Sequence, residues 1–181
     1  TWNDPLEPIR VAQAVKKMGL RHVVITSVDR DDLKGDFGAS IWADTIKQTK
    51  KVNPGCTVEV LTPDFKGFEP ALKIVFDSKP DIFSHNVECV ERISKAVRAQ
   101  ANWQRSLGVL EKSIQHGLRT KTGIMVGLGE EVEEVKKTMR QVVDLGVQIF
   151  TIGQYLQPTK NHLKVEEYIS KEQFELYKEY G

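Results

Sequence analysis

Cysteine is scarce in this chain of 181 residues, which contains only Cys56 and Cys89. Their spacing fits no zinc or iron–sulfur motif, and an isolated cysteine usually behaves as a small apolar residue, so we predict no metal ligand in the chain. No charge of one sign dominates, since 26 Lys and Arg accompany 25 Asp and Glu and leave a formal net charge of +1. This balance argues against a nucleic-acid partner and against a membrane-surface partner.

Long apolar runs and a leader segment are missing too. No window approaches the ~18 uninterrupted apolar residues of a membrane helix. The chain opens with neither a charged-then-apolar leader nor an Arg- and Ser-rich transit segment. Because it starts at Thr1 rather than Met, we expect a fragment or a processed piece, and the compartment stays open.

Five short apolar runs are each followed by a polar segment and then by a helical pattern. The runs begin at His22, Val58, Ile82, Ile124 and Ile149. Strands that are joined by crossover helices run parallel, so the five polar segments emerge at one edge of the sheet. In βα barrels this edge carries the chemistry. We predict one α/β domain over residues 1–181, as an open doubly wound sheet, a partial barrel or a barrel cut short.

Polar residues after the first and third strands are candidate ligand contacts. Ser27 and the acidic segment that begins at Asp29 could hold the ammonium of a bound amino acid, and the alternative is an ordinary charged loop. Asn86 and Glu88 share one face of the third strand, where they could grip vicinal hydroxyls or an amine. A satisfied interior network is the alternative for this pair.

A glycine-containing segment follows the fourth strand. Gly127 and Gly129 would let a flat ligand or a phosphate approach the backbone, and the alternative is a tight strand-to-helix turn. The segment lacks the third glycine of the dinucleotide fingerprint and the Lys-Ser/Thr of a P-loop. Glu130 suits the start of the next helix because of the helix dipole.

Several other polar residues have one functional and one structural interpretation. Gln154 and Tyr155 could line the rim after the last strand, and Arg98 could receive a carboxylate or simply be solvated at the surface. His85 is more typical of a packed core histidine than of a ligand. Glu59 alternates with apolar neighbours and is predicted to point inward, where a carboxylate requires a partner.

Six segments together resemble one enzyme family, lipoyl synthase of the radical S-adenosylmethionine superfamily. They are Thr26–Leu33, Glu59–Phe65, His85–Glu88, Met125–Glu130, Gly153–Thr159 and His162–Ile169, in the family order. The likeness spans nearly the whole chain and implies a partial (βα)6 barrel of the TIM type, truncated at both ends.

The resemblance also implies a reaction and its partners. In this family a reduced [4Fe-4S] cluster cleaves S-adenosylmethionine to a 5′-deoxyadenosyl radical, which removes hydrogens from an octanoyl chain on a protein lysine. An auxiliary [4Fe-4S] cluster then donates sulfur to give lipoyl. The implied partners are octanoylated carrier domains (the 2-oxoacid dehydrogenase acyltransferase subunit and the glycine cleavage H protein) and an electron donor such as ferredoxin or flavodoxin. The implied compartment is the cytoplasm in a bacterium and the mitochondrion or plastid in a eukaryote.

The resemblance assigns parts of the cofactor to the candidate residues. It implies that Ser27 and the acidic segment bind the methionyl amine, and that Asn86 and Glu88 contact the ribose and methionine. It further implies adenine contacts at Gly127, Gly129 and Glu130, rim positions for Gln154 and Tyr155, and a methionyl carboxylate partner in Arg98. The resemblance leaves the catalytic residues unidentified.

The chain also departs from the family pattern. The CxxxCxxC loop of the first cluster would lie before Thr1, the auxiliary-cluster cysteines further upstream, and the loop Leu33–Ser40 differs from the usual form. We therefore expect this chain alone to hold neither cluster and to be inactive. A βα barrel that binds S-adenosylmethionine or a carrier without turnover stays open as the alternative. An aldolase-like or metal enzyme is disfavoured, because Lys121 is predicted to precede a strand and the histidines are scattered.

Overall fold

A computed structural model of the chain, which describes residues 4–97 and 102–181, contains one sheet of five parallel strands. The strands are β1 (His22–Thr26), β2 (Thr57–Leu61), β3 (Ile82–Ser84), β4 (Thr120–Val126) and β5 (Ile149–Gln154). They lie side by side in chain order, whereas a doubly wound sheet reverses its order at a switch point. The sheet curls into a half-barrel, which confirms the partial barrel and excludes the doubly wound alternative.

Seven α-helices accompany the strands in the described residues. They are α1 (Glu7–Met18), α2 (Ala39–Val52), α3 (Glu69–Asp77), α4 (Ser94–Val97), α5 (Trp103–Gln115), α6 (Val132–Asp144) and α7 (Lys171–Tyr180). Gly19 ends α1 in the left-handed region at φ 63°, and the Ser170 side chain accepts the Gln173 N–H to start α7.

The core lies between the sheet and the helices. Val58, Val60 and Phe83 of the middle strands are fully buried and pack with Ile46 of α2 and Leu72 of α3. Because side chains alternate along a strand, the residues between them point to the concave face. The helix-facing residues of the middle strands therefore form the hydrophobic core, whereas Glu59, between Val58 and Val60, points to the concave face.

Glu59 occupies that concave face and has the partner it requires. Its side chain is 4% exposed, its Oε1 lies 2.8 Å from Lys121 Nζ, and its Oε2 lies 3.2 Å from His22 Nε2. The prediction that Lys121 precedes a strand is wrong, since it is the second residue of β4. Thr120 and Thr122 on either side are fully buried, and β-branched threonines fit a pleated surface even though they are polar.

Among the helices formed by the described residues, none combines the length and the apolar composition that a bilayer-spanning segment requires.

The assignment of residues 1–181 to a single domain stays a prediction.

Candidate functional site

A polar cleft of about 140 Å³ opens at the carboxyl edge of β1, β2 and β3. Its lining consists of Thr26, Ser27, Asp29, Leu61, Thr62, Pro63, His85, Asn86 and Glu88. Parallel pairing places the ends of these strands at one edge, in agreement with the prediction from the sequence. The cleft thus brings together four predicted site residues, namely Ser27, Asp29, Asn86 and Glu88.

Two carboxylates of the acidic segment after β1 are paired with cationic side chains, and the third is not paired in the described residues. Arg30 binds Asp32 through two hydrogen bonds of 2.8 and 2.9 Å, and this guanidinium lowers the pKa of Asp32 to about 2. Lys66 Nζ lies 3.1 Å from the carboxylate of Asp31. Within the described residues, no hydrogen bond or ion pair reaches the side chain of Asp29. Asp29 is therefore the carboxylate of this segment that is available to a ligand.

Asn86 and Glu88 follow β3, and the neighbouring strand β4 holds the backbone of Glu88. Glu88 lies in the left-handed region at φ 72°, while its N–H donates to the Gly123 carbonyl at 3.2 Å and its carbonyl accepts from Met125 N–H at 2.8 Å. A non-glycine residue in this region is strained by roughly 1–3 kcal/mol, and such strain clusters at functional sites. A Cβ at Gly123 would collide with Thr151 and would lie 3.2 Å from Asn86 Oδ1. Glycine at this position therefore leaves room for the Asn86 side chain.

The side chain of Glu130 closes the turn Gly127–Glu130 after β4. Glu130 Oε1 accepts the Gly127 N–H at 2.5 Å, and Glu130 Oε2 accepts the Leu128 N–H at 2.9 Å. Arg92 donates to the Gly129 carbonyl at 2.8 Å. Gly127 and Gly129 have φ of 100° and 93°. This geometry matches the tight-turn interpretation, and an adenine contact at Gly127, Gly129 or Glu130 stays a prediction.

Gln154 and Tyr155 at the end of β5 hold the segment of residues 159–169, which we call the strap. Gln154 Nε2 donates to the Glu167 carbonyl at 3.1 Å, and Gln154 Oε1 accepts the Ile169 N–H at 2.9 Å. The Tyr155 hydroxyl donates to the Leu163 carbonyl at 2.8 Å. The polar atoms of both side chains bind the strap, and a ligand contact by either residue stays a prediction.

Arg98, the two cysteines and possible metal-binding groups remain to be placed. Arg98 lies outside the described residues. Cys56 and Cys89 are buried and form no disulfide. Within residues 4–97 and 102–181, no group of three or more His, Cys, Asp or Glu side chains is arranged to hold a metal ion.

Five residues of the cleft lining were not among the predicted site residues, namely Thr26, Leu61, Thr62, Pro63 and His85. Thr62 and Pro63 directly follow β2, and this position at the carboxyl edge is the signal that could have nominated them. The prediction that His85 is a core residue is confirmed, because it is 2% exposed and bonded to the Thr62 carbonyl and to Ser106 of α5. It nevertheless forms part of the cleft wall.

Comparison with protein families gives one match that covers most of the chain. The profile of the Radical SAM superfamily matches residues 1–142. Among solved structures, SuiB of Streptococcus suis bound to S-adenosylmethionine superimposes with a TM-score of 0.74 at 10% identity, over 99% of this chain and 40% of that protein. At this identity the structural likeness establishes the fold alone.

Comparison with curated proteins finds lipoyl synthases. That of Rubrobacter xylanophilus is 56% identical over 98% of this chain and 56% of its own length. That of Phocaeicola vulgatus is 52% identical over 98% of this chain and 62% of its length, and the mitochondrial lipoyl synthase of Nematostella vectensis is 51% identical over 97% and 60%. The resemblance identified from the six segments is confirmed, and the chain spans about three fifths of the length of these relatives.

Proposed function

Because the chain belongs to the radical SAM superfamily, we propose that it is the S-adenosylmethionine-binding barrel segment of a lipoyl synthase. The observation that carries the proposal is the cleft at the carboxyl edge, where Ser27, Asp29, Asn86 and Glu88 meet. Identity above 50% to lipoyl synthases over nearly the whole chain supports the same conclusion. Membership of the superfamily supports the use of S-adenosylmethionine.

The polar groups of the cleft match the methionyl and ribose parts of this cofactor. The Asp29 carboxylate can accept a charge-assisted hydrogen bond from the ammonium group. The Ser27 hydroxyl donates to the Val28 carbonyl at 2.9 Å, so its oxygen can accept a second one. Asn86 and Glu88 supply an amide and a carboxylate for vicinal hydroxyls. The cleft volume of about 140 Å³ is below the roughly 300 Å³ at which sites for whole small molecules begin. We therefore infer that adenine extends beyond it, toward the turn Gly127–Glu130.

Bound S-adenosylmethionine supplies a 5′-deoxyadenosyl radical on one-electron reduction, and the protein supplies binding and orientation. The rim residues fix the cofactor against the sheet edge, while Arg98 is proposed to receive its carboxylate. Cys56 and Cys89 do not fit an iron–sulfur cluster, since both are buried at separate places, one before β2 and one after β3. We propose that two [4Fe-4S] clusters are bound by residues outside this chain.

The proposed reaction is the insertion of two sulfur atoms into an octanoyl chain that is attached to a lysine of a carrier protein. The proposed carriers are the lipoyl domain of the 2-oxoacid dehydrogenase acyltransferase and the glycine cleavage H protein, with ferredoxin or flavodoxin as electron donor. Relatives from bacteria and a mitochondrial relative favour the cytoplasm of a bacterium or an organelle of a eukaryote.

The test uses the full-length gene product, reconstituted without oxygen, with an octanoyl-lysine peptide as substrate. We expect lipoyl-lysine and 5′-deoxyadenosine by mass spectrometry, and dissociation constants for S-adenosylmethionine that rise roughly tenfold (about 1.4 kcal/mol) in Asn86→Ala and Asp29→Asn. Lys136→Gln on the surface of α6 is the control and should bind like the wild type. Failure to form lipoyl-lysine despite cofactor binding would overturn the proposed reaction. Unchanged affinity in both cleft variants would overturn the proposed binding site.

A further inference from the structure

We propose that His85 is a positioning residue of the cleft, because its ring fixes the segment after β2 against the segment after β3. The nature of the ligand rests on the proposed function, whereas the positioning itself rests on contacts within the chain. The sequence pattern predicts only that His85 fills the core. Its position between two parts of the cleft wall gives it this further role.

The hydrogen bonds of His85 define the orientation of its ring and the tautomer of its neutral form. Nδ1 lies 2.9 Å from the Thr62 carbonyl, and Nε2 lies 3.0 Å from the hydroxyl of Ser106 in α5. A carbonyl oxygen can only accept, so Nδ1 carries the proton, and in the neutral ring Nε2 accepts from the serine hydroxyl. With 2% of the residue exposed, the ring has little access to water that could replace either bond. One tautomer in one orientation therefore satisfies both neighbours.

The backbone of His85 extends the connection to further strands. Thr62 N–H donates to the Ser84 carbonyl at 3.0 Å, so Thr62 is held through both its N–H and its carbonyl. His85 N–H donates to the Lys121 carbonyl at 3.1 Å, and the Thr122 hydroxyl donates to the His85 carbonyl at 2.8 Å. His85 thus joins the ends of β2 and β3 to β4 and, through its ring, to α5.

The residues that follow Thr62 and His85 in the chain connect this hydrogen bond to the cleft wall. Pro63 follows Thr62 and Asn86 follows His85, and both line the cleft. Releasing the Thr62 carbonyl would free this part of the wall, and binding would then have to order it again. Preorganised walls raise affinity by removing that ordering step. His85 should therefore affect ligand affinity without contacting the ligand through its ring nitrogens.

Four variants of the full-length gene product separate positioning from general stability. His85→Ala removes both ring bonds, His85→Asn keeps a side-chain N–H near the position of Nδ1, and Ser106→Ala removes only the bond to Nε2. Ser113→Ala is the matched control, because Ser113 is equally buried in α5 and is bonded to the Thr120 hydroxyl at 2.8 Å, away from the cleft.

The first measurement is hydrogen–deuterium exchange of the peptide that covers residues 57–66, without ligand. We expect faster exchange in His85→Ala, near-normal exchange in His85→Asn and no change in Ser113→Ala. The second is the dissociation constant for S-adenosylmethionine, which should rise roughly tenfold in His85→Ala and less than about threefold in His85→Asn and Ser113→Ala. Ser106→Ala keeps the Nδ1 bond to the Thr62 carbonyl, as His85→Asn keeps an equivalent of it, and should resemble His85→Asn in both measurements.

Equal effects of His85→Ala and Ser113→Ala on exchange would overturn the inference. A failure of His85→Asn to restore exchange would also overturn it. If the wild type does not bind S-adenosylmethionine and the exchange pattern is as expected, the proposed function is wrong and the positioning by His85 stands. If the wild type binds and exchange does not respond to His85→Ala, the positioning is wrong and the proposed function stands.

Discussion

At the residue scale, the most consequential charge in the sheet is the buried carboxylate of Glu59. Lys121 at 2.8 Å is its closer partner, and the half-exposed His22 at 3.2 Å is the second. Removing one partner of a buried pair leaves an uncompensated charge, which typically costs about 3–5 kcal/mol. Because His22 remains, we expect Lys121→Met to lower the free energy of unfolding by roughly 3 kcal/mol, as measured by urea denaturation.

Two further variants decide whether that loss comes from the charge. Lys178→Ala breaks an exposed pair with Glu175 on α7 and should change stability by less than about 1 kcal/mol. The double variant Glu59→Met with Lys121→Met should recover most of the loss, since replacing both partners by apolar groups is often nearly neutral. A double variant that is less stable than Lys121→Met alone would contradict this explanation.

Glu134 makes stability depend on pH. Arg92 binds its carboxylate at 2.7 and 2.8 Å and lowers the pKa of Glu134 to about 2, from an ordinary value of 4.5. A lowered pKa stabilises the folded state above about pH 4.5, and this contribution is lost as the pH falls toward 2. We expect the stability difference between wild type and Glu134→Gln to shrink over this range in urea titrations. A constant difference would contradict the assigned pKa.

Sequence patterns predicted residue roles well where the cause is local. The alternation around Glu59 predicted an inward carboxylate, and the same rule gave a packed His85 beside Asn86 and Glu88 at the rim. Partners that lie far along the chain were not predictable. Gln154 binds the Glu167 carbonyl and Ile169 N–H, and these bonds depend on a strap geometry that no local pattern contains.

At the scale of elements, the sequence largely predicted which segments form strands and helices. It predicted less well the residues at which these elements begin and end. The apolar run predicts a fourth strand from Ile124, whereas β4 begins at Thr120, because its first half carries polar residues that tertiary contacts bury. The fifth strand includes Gly153 and Gln154, which the sequence pattern assigns to the polar segment after it. Pairing with β4 extends β5 to Gln154, and pairing is a property of the sheet rather than of the single strand.

The strap and the turn after β4 form one closely packed unit at Gly127. This residue has φ 100°, its carbonyl accepts the Glu166 N–H at 2.9 Å, and an added Cβ would collide with the Gln154 amide and the Glu167 carbonyl. We expect Gly127→Ala to lower the free energy of unfolding by at least about 2 kcal/mol, from backbone strain plus the collision. Hydrogen exchange in residues 159–169 should increase as well.

Gly153→Ala is the control for this prediction. Gly153 lies in β5 and is not among the glycines with positive φ, and a Cβ added there would meet no atom of the described residues within 4 Å beyond its chain neighbours. This substitution should leave stability within about 1 kcal/mol of the wild type, since only the conformational entropy of glycine changes. Equal effects of the two substitutions would contradict the packing explanation.

At the scale of the whole molecule, the residue pattern predicted the parallel order, whereas the curvature was predicted only by the family resemblance. The repetition of βα units requires parallel strands with a common carboxyl edge, and this alone brought Ser27 near Asn86. Whether the sheet curls or opens depends on how strands tilt and on which helices cover each face. The sequence pattern left both outcomes open until the strand order excluded a switch point.

The sequence also did not predict which part of that edge forms the cleft. Five polar segments were candidates, and the cleft uses those after β1, β2 and β3. The segments after β4 and β5 are closed by Glu130 and by Gln154, through hydrogen bonds to backbone groups. Which polar groups remain available to a ligand is decided by these internal bonds.

The central claim is that parallel strands present Ser27, Asp29, Asn86 and Glu88 to one bound S-adenosylmethionine. A crystal structure of the full-length gene product with this cofactor tests the claim most directly. We expect the methionyl ammonium beside Asp29 and the ribose hydroxyls beside Asn86 and Glu88. A cofactor bound elsewhere, with these four side chains contacting only protein and solvent, would contradict the account.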